Sequence, residues 1–284
     1  MNKILIGILS VLALACQNHK NQMTYIGGGI VHPIDDYVVL LKENKVIDSI
    51  KINQNGHFNY NFKLEKTGLF TFRHAHEFQT LYLEPQDSIK FRINTLDFDK
   101  SLVFSGTSAT ENNFLIENYL LNQKNSDLIL SYYKISPQDF EFKTDSIIKS
   151  REEKLKSLNN KFNLAPAFMN LAQKSIDFEF YDMRERYVFL LNKYNPKQIN
   201  NLSESFFQYR NQIDFNDINI VHHIGFQRFL DNYLKNQSIK LCEKRNQSDD
   251  CFNLNSYTNL DNRIQLVDSL IDSKYLKNRF LERY

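Results

Sequence analysis

Apolar and polar residues alternate along roughly the first third of the chain, and this period of two ends near residue 106. Residues 89–93, Ile-Lys-Phe-Arg-Ile, show the alternation of a strand with one buried face. After Gly106 the apolar spacing lengthens to that of a helix. Ser108 or Thr110 is placed to cap its first turn, and Glu111 suits the positive end of the helix dipole. The pattern therefore predicts a β module followed by an α module.

The β module is predicted to contain eight short strands. They lie near residues 24–31, 37–42, 46–53, 57–64, 69–74, 80–84, 88–94 and 102–104. Asn55-Gly56 predicts a tight hairpin, since both residues tolerate positive φ and the flanking residues alternate. Strands at intervals of about ten residues, with no helix between them, favour an antiparallel β-sandwich.

Three consecutive glycines, residues 27–29, lie inside the first predicted strand. They match neither the dinucleotide-binding fingerprint nor the phosphate loop, because the required glycine spacing and the following Lys-Ser or Lys-Thr are missing. We expect a bulge or a close strand crossing there.

The α module is predicted to begin with two long amphipathic helices that pack together. Their apolar faces run from Phe140 to Phe162 and from Phe168 to Tyr194. Pro137 and Pro166 fit first-turn positions, and Asn195-Pro196 ends the second helix; the helical aromatic stripes favour a core over a ligand groove. Shorter helices are predicted near residues 204–212, 220–236 and 257–284.

These patterns predict an α+β fold, with an N-terminal antiparallel β-sandwich at residues 24–106 and an all-α helical module at residues 107–284. With 42% hydrophobic and 24% charged residues the composition is globular. A net charge of +2 with interleaved signs excludes a nucleic-acid footprint, so no nucleic-acid partner is expected. No cofactor is predicted.

The N-terminus carries a lipoprotein signal. Lys3 precedes an apolar run at residues 4–15 that is too short to span a bilayer, and Leu-Ala-Leu-Ala-Cys ends it at Cys16. This lipobox predicts a signal peptide at residues 1–16, lipidation of Cys16 and a polar tether at residues 17–23. The alternative is an ordinary secretory peptide with an incidental cysteine. Since no Asp follows Cys16 and no acidic cluster follows it, we expect an outer-membrane lipoprotein facing the periplasm.

Candidate catalytic and metal-binding residues are few. His74 and His76 share a strand face and could bind a metal together with Glu77, although such a pair is more typical of surface residues at a strand end. His222-His223 point to different faces of any regular element. No Gly-x-Ser-x-Gly elbow is present, and no partner histidine can be located for a cysteine nucleophile.

Cys242 and Cys251 are the only thiols left once Cys16 is acylated, and the envelope is an oxidising compartment. The polar link at residues 243–250 can let Cys242, at a helix end, turn back to Cys251. We predict a structural disulfide between them. Two unpaired thiols, or a link to a partner protein, are the alternatives.

Short segments across nearly the whole mature chain together resemble those of a known protein family. They are Ile26-Gly27-Gly28 with Pro33, Tyr37-Val38-Val39-Leu40, Gly68-Leu69-Phe70, Glu77-Phe78-Gln79, Tyr82-Leu83-Glu84, Asp87-Ser88, Asn94-Thr95-Leu96-Asp97-Phe98-Asp99, Ser101-Leu102-Val103-Phe104-Ser105-Gly106, Asn112-Asn113-Phe114-Leu115, Ile176-Asp177 and Ile213-Asp214-Phe215-Asn216-Asp217. In these segments the chain resembles the N-terminal half of the thioredoxin-like (TlpA-like) lipoproteins of Bacteroidota.

The resemblance implies a β-sandwich and a helical segment, which in that family precede a thioredoxin domain that reduces or isomerises periplasmic disulfides. The sequence through Tyr284 contains neither tryptophan nor a Cys-x-x-Cys motif, so the family's redox residues have no counterpart in it. Gln86 also stands where a glycine is common in the family's Pro-Gly-Asp turn.

Three functional hypotheses follow. The first is a non-catalytic, lipid-anchored docking module that acts beside a thioredoxin-domain protein or another envelope protein. The second is the N-terminal part of a periplasmic thiol-disulfide oxidoreductase whose catalytic domain is encoded elsewhere. The third is a glycan- or peptide-binding lipoprotein, which only the sandwich fold and the aromatic content support.

Overall fold

The computed structural model describes residues 23–43, 45–217, 219–245 and 250–282. Within them the chain is α+β, with two four-stranded sheets in the N-terminal part and a helical module after them, which confirms the predicted fold class. The signal segment and Cys16 lie outside the described residues. No helix in the described ranges has the length and apolarity needed to cross a membrane.

The two sheets stack as a sandwich. Their strands are β1 Thr24–Val31, β2 Tyr37–Lys42, β3 Lys45–Lys51, β4 His57–Phe62, β5 Gly68–His74, β6 Glu77–Leu83, β7 Ser88–Asn94 and β8 Val103–Gly106. The strand orders are β4-β1-β7-β8 in the first sheet and β3-β2-β5-β6 in the second. Inward side chains of both sheets form one core, in which the Phe72 and Phe91 rings stack at 4.3 Å.

One strand pair departs from the predicted antiparallel arrangement. β1 and β7 run parallel, with Gly28 opposite Phe91. The reason is the connection, since parallel neighbours need a long crossover and most of the strands between β1 and β7 belong to the opposite sheet. All other pairs are antiparallel, as predicted.

The glycine run allows a close strand crossing, as predicted. A Cβ atom on Gly28 would lie 1.9 Å from the carbonyl oxygen of Phe91, so only glycine permits this approach of β1 to β7. The register of β1 is continuous, and the irregularity of the sandwich lies instead between Leu40 and Leu41 on β2. A turn at Asn55-Gly56 joins β3 to β4, with Gly56 at a φ of 78°, but the predicted hairpin was wrong, because β3 and β4 belong to different sheets and do not pair with each other.

The helical module packs its own core beside the sandwich. Its α-helices, numbered after the short helix α1 Phe98–Ser101, are α2 Ala109–Ser131, α3 Pro137–Phe162, α4 Pro166–Tyr194, α5 Ile224–Lys244, α6 Tyr257–Leu270 and α7 Lys274–Leu281. A 3₁₀ segment at Glu204–Gln212 replaces the helix expected there. Pro137 and Pro166 occupy first-turn positions, and α4 ends before Asn195-Pro196, as predicted.

Two helix predictions were wrong. The single helix expected at residues 257–284 is split into α6 and α7, because Ile271 is extended and fully buried, and Ser273 caps α7 by accepting a hydrogen bond from the Leu276 amide. A helix also intervenes between β7 and β8, since α1 places Phe98 into the sandwich core.

The junction between the modules is polar at its edge and apolar inside. Buried Asp87 accepts hydrogen bonds from the Thr107 and Ser108 hydroxyls at 2.6 and 2.5 Å, so Ser108 uses its hydroxyl as a donor to the β module. Behind this contact, Tyr82 packs edge-on against Phe168 of α4 at 5.1 Å. The two modules therefore share buried surface.

Candidate functional site

A cleft of about 350 Å³ separates the outer face of the β3-β2-β5-β6 sheet from the helical module. Its floor is a set of cross-strand pairs, with Arg73 opposite Phe78 and Thr71 opposite Thr80. Alternate residues of a strand share a face, so these side chains point away from the sandwich core that holds Phe72. The Leu69 end of the floor packs against the helical core, which closes the cleft there.

The opposite wall comes from the residue pair that precedes α5, from the first turn of α5 and from α7. His222, Ile224 and Gln227 line it on one side, and Tyr275 and Arg279, one helical turn apart on α7, line it on the other. The His222 and Tyr275 rings lie 4.4 Å apart, and Arg279 Nη1 donates a 3.4 Å hydrogen bond to Tyr275 Oη. Contact with Tyr275 thus fixes the side chains of His222 and Arg279.

Two buried nitrogen atoms of this wall lack hydrogen-bond partners among the described residues. They are Nδ1 of His222 and Nε of Arg279. Buried polar atoms are nearly always paired, because an unpaired one keeps its full desolvation penalty. Buried unpaired atoms also occur away from the cleft, such as Nε of Arg184 and Oδ1 of Asn259, so these two atoms do not by themselves mark a ligand site.

The charges of the cleft are unbalanced. Arg73 forms no ion pair with any residue that the structure describes. Glu43 at the rim lies 4.0 Å from Nε2 of His222. Burial lowers the pKa of His222 most; the Glu43 carboxylate opposes this shift, and Arg279 and Lys42 add to it. His222 is therefore neutral at pH 7, which leaves two guanidinium groups facing one carboxylate.

Apolar side chains form a further part of the cleft surface. Phe78 is 58% exposed at the open end, beside buried Gln79 of the same strand. Leu41 and Leu69 extend the apolar floor. An exposed phenyl ring beside unpaired cationic groups is typical of a binding site and is unusual for a face of a stable sheet.

A second polar centre lies inside the helical module on α4. Glu179 and Asp182 line a cavity of about 270 Å³ together with Arg186 and Arg228. The pKa of Glu179 is raised to about 7, first by burial and then by the Asp182 carboxylate, against the opposing effect of the Arg228, Arg186 and Arg151 guanidinium groups. Asp182 is held by Arg186 at 2.7 Å and by Asn232 at 2.7 Å. Glu179 is therefore the titratable member of this centre.

Beside it, His223 and Ser175 form a buried pair that resembles part of a catalytic arrangement. His223 Nε2 lies 3.0 Å from Ser175 Oγ. The other nitrogen, Nδ1, accepts from the Gly225 amide at 3.1 Å, which places the ring proton on Nε2. Nε2 therefore donates to Ser175 and cannot remove its proton. Burial and the nearby Arg228 charge lower the pKa of His223 to about 4, so the pair caps α5 and is not a nucleophile with its base.

A fully buried carboxylate, Glu185, is saturated by hydrogen bonds. Arg210 donates to both of its oxygens at 2.8 and 2.7 Å, and Tyr209 and Asn236 donate at 2.6 Å each. Since every oxygen of Glu185 is paired inside the protein, this cluster holds α4, α5 and the Glu204–Gln212 segment together and leaves nothing for a substrate.

His74 and His76, the pair considered from the sequence as metal ligands, lie outside the cleft, whereas His222 lines it. His74 is buried, contrary to the surface position expected for it. Its Nε2 accepts from the Ile34 amide at 3.0 Å and its Nδ1 lies 3.0 Å from the Tyr37 carbonyl oxygen, so both nitrogens hold the loop before β2. His76 is exposed on the β5–β6 turn. The described residues contain no group of three or more potential metal ligands.

The cysteine prediction is confirmed where the structure describes it. Cys242 and Cys251 form a disulfide with a Cα–Cα distance of 5.7 Å, and Cys242 is buried near the end of α5. The lipidation prediction for Cys16 concerns a residue outside the described part.

The cleft residues were missed by the sequence patterns. Arg73 and Phe78 fit outward strand positions that are normally solvated, and Arg279 lies in a predicted helix more than 200 residues away. The one available signal was Phe78, a large apolar residue on the outward side of its strand.

Comparison with protein-family models, with curated proteins and with solved structures finds no match to the chain. The resemblance to TlpA-like lipoproteins therefore stays a prediction from the residues.

Proposed function

We propose that this chain is a non-catalytic, lipid-anchored binding protein of the bacterial cell envelope, and that the cleft between the sheet and the helices is its ligand site. The observation that carries the proposal is that the cleft places two guanidinium groups, those of Arg73 and Arg279, beside the exposed ring of Phe78, and that neither group forms an ion pair with a described residue. Water could hydrate the guanidinium groups, but water gives no favourable contact to the apolar surface around Phe78.

Binding suits the cleft better than catalysis does. Its polar side chains are two guanidinium groups, a neutral imidazole, a carboxylate at the rim, an amide, two threonine hydroxyls and the phenol of Tyr275. The amide of Gln227 is already engaged with the Val221 carbonyl oxygen at 2.9 Å. No nucleophile paired with a base lines the cleft, whereas donors beside apolar surface are the usual composition of a recognition site.

The anchor is proposed from the N-terminal sequence. β1 begins at Thr24, so a lipid on Cys16 would leave only residues 17–23 as a tether. Seven residues reach at most about 25 Å when extended. Such a tether would hold the cleft near the membrane, facing the periplasm in the proposed outer-membrane location.

A probe molecule tests whether the cleft binds a ligand. Residues 17–284 contain every described strand and helix, and 8-anilino-1-naphthalenesulfonate is an aromatic anion of suitable size whose fluorescence rises in apolar sites. We expect saturable binding of one probe per chain. Thr71→Trp, which fills the floor, should abolish this binding.

The matched control is Val103→Trp, which adds the same side chain to an exposed position on the other sheet. It should bind the probe as the wild type does. Equal binding by the two variants, or no saturable binding by the wild type, would contradict the proposal. Circular dichroism checks that both variants are folded.

A further inference from the structure

The charged and apolar side chains of the cleft indicate which class of ligand it accepts. This inference rests on the proposed function, since it assumes that the cleft binds a ligand. Arg73 and Arg279 supply two positive charges, and Glu43 supplies one negative charge at the rim. Lys42, which is close enough to lower the pKa of His222, adds a further positive charge beside the lining residues, so the cleft suits a negatively charged ligand.

We propose that the cleft binds a small monocarboxylate whose negative group is attached to a flat apolar body, such as an aromatic or unsaturated ring.

The carboxylate follows from the donors. A guanidinium group presents several N–H donors in one plane and matches the two oxygens of a carboxylate. In Arg279, Nη1 is turned to Tyr275, whereas the guanidinium of Arg73 is exposed in the cleft and forms no ion pair with a described residue, so its donors remain available to a carboxylate. Glu43 disfavours a doubly charged phosphate monoester, because repulsion at the rim grows with the ligand charge.

The flat apolar body follows from the shape and composition of the floor. The outer face of a sheet is nearly flat at this scale, and Phe78 and Leu69 offer apolar contact along it. The adjoining rings of His222 and Tyr275 form the facing wall. The volume of about 350 Å³ admits a ligand of two fused rings and excludes a polymer or a long acyl chain.

The test compares two ligands of nearly equal shape. 2-Naphthylacetate and 2-naphthylacetamide differ in charge but hardly in size, and isothermal titration calorimetry on residues 17–284 gives both dissociation constants. We expect the carboxylate to bind at least about tenfold more tightly than the amide. 2-Naphthyl phosphate, which carries up to two charges, should bind more weakly than the carboxylate.

Substitutions of single charged residues test whether the preference for the carboxylate over the amide arises in the cleft. Arg279→Gln should reduce the carboxylate preference to about twofold or less. Arg73→Gln, at an exposed position where loss of folding is not expected, should reduce it by about threefold. Lys45→Gln removes an exposed cation from the edge strand β3, outside the cleft, and should leave the preference unchanged.

Equal affinities for carboxylate and amide, a preference for the phosphate, or equal effects of Arg73→Gln and Lys45→Gln would overturn the monocarboxylate assignment. These outcomes differ from a failure of the proposed function. If neither naphthyl ligand binds, or if Thr71→Trp leaves the binding of both unchanged, the cleft itself is not a ligand site.

Discussion

Asn112 on α2 exchanges two hydrogen bonds with the backbone of Tyr82 on β6. The Tyr82 amide donates to Asn112 Oδ1 at 2.7 Å, and Asn112 Nδ2 donates to the Tyr82 carbonyl oxygen at 2.8 Å. The side-chain amide thus pairs with the edge of one sheet as a neighbouring strand would. Asn113 does the same for Phe104 on β8, at 3.0 Å in both directions. Consecutive asparagines therefore cover one edge of each sheet and join the sandwich to α2.

The first prediction concerns this pair of contacts. Asn112→Ala should lower the free energy of unfolding by about 2 to 4 kcal/mol, because it leaves the buried Tyr82 amide and carbonyl without partners. Asn113→Ala should cost about half as much, since Asn113 is only half-buried. Urea unfolding measures both, and an equal, small effect of the two substitutions would contradict a buried role for Asn112.

The sequence predicted much of the β module because a half-buried strand has a local signature. The alternation of apolar residues placed β1, β2 and β7 at the bounds that the structure gives. The parallel pairing of β1 with β7 has no such signature, because it depends on which sheet the intervening strands join. The roles of Asn112 and Asn113 depend on the docking of two modules and could not be predicted from local spacing.

The candidate cleft could not be predicted from the sequence, for a related reason. Glu43, Phe78, His222 and Arg279 meet only because α7 and the segment before α5 pack over one sheet face. Helical periodicity marks which face of α7 is apolar, but it does not say which distant surface lies opposite. The disulfide could be predicted, because the two cysteines lie close together in the chain and at a helix end.

The second prediction concerns Glu179 and pH. Its folded-state pKa of about 7 lies above the ordinary value of 4.5, so its contribution to stability is fully present below about pH 4.5 and is lost as the pH rises through 7. Glu179→Gln should therefore stabilise the protein by about 2 to 3 kcal/mol near pH 8, with little effect below pH 4.5. Urea unfolding at a series of pH values measures this, and a pH-independent difference would exclude titration of Glu179 as the cause.

The third prediction is that His223 gives the stability of the protein the opposite dependence on pH. The pKa of His223 is lowered to about 4. Its contribution to the stability of the fold is therefore fully present above pH 6.5, which is the ordinary pKa, and is lost as the pH falls from 6.5 through 4. Wild-type stability should therefore decline toward acid pH, and NMR of the imidazole should show a neutral ring with the proton on Nε2 at pH 6. Observation of a charged His223 at pH 6 would contradict the hydrogen-bond assignment with Ser175.

The fourth prediction concerns the Cys242–Cys251 disulfide. The loop that it closes spans a sequence separation of 9, so the bond should stabilise the fold by roughly 2 to 3 kcal/mol on the chain-entropy estimate. The Cys242→Ala, Cys251→Ala double variant should lose this amount in urea unfolding and should be insensitive to dithiothreitol. Mass spectrometry of the non-reduced protein from the periplasm should show the linked peptides. Complete alkylation of both thiols without reduction would refute the bond.

The fifth prediction is lipidation of Cys16. Metabolic labelling with a fatty-acid analogue should mark the wild-type protein, which should sediment with membranes. Cys16→Ser should remove the label, because the proposed lipid would be attached to the sulfur and the amino group of this cysteine. A Cys16→Ser protein that keeps both the label and the membrane association would refute the proposed anchor.

The most direct test of ligand binding in the cleft uses the absence of tryptophan from the chain. Phe78→Trp places a single tryptophan at the open end of the cleft, and Val103→Trp places one on the exposed face of the other sheet. Energy transfer from tryptophan to bound 8-anilino-1-naphthalenesulfonate should be strong and saturable in Phe78→Trp, weak in Val103→Trp, and abolished by 2-naphthylacetate. Equal transfer in the two variants, or transfer that 2-naphthylacetate does not reduce, would contradict binding in the cleft.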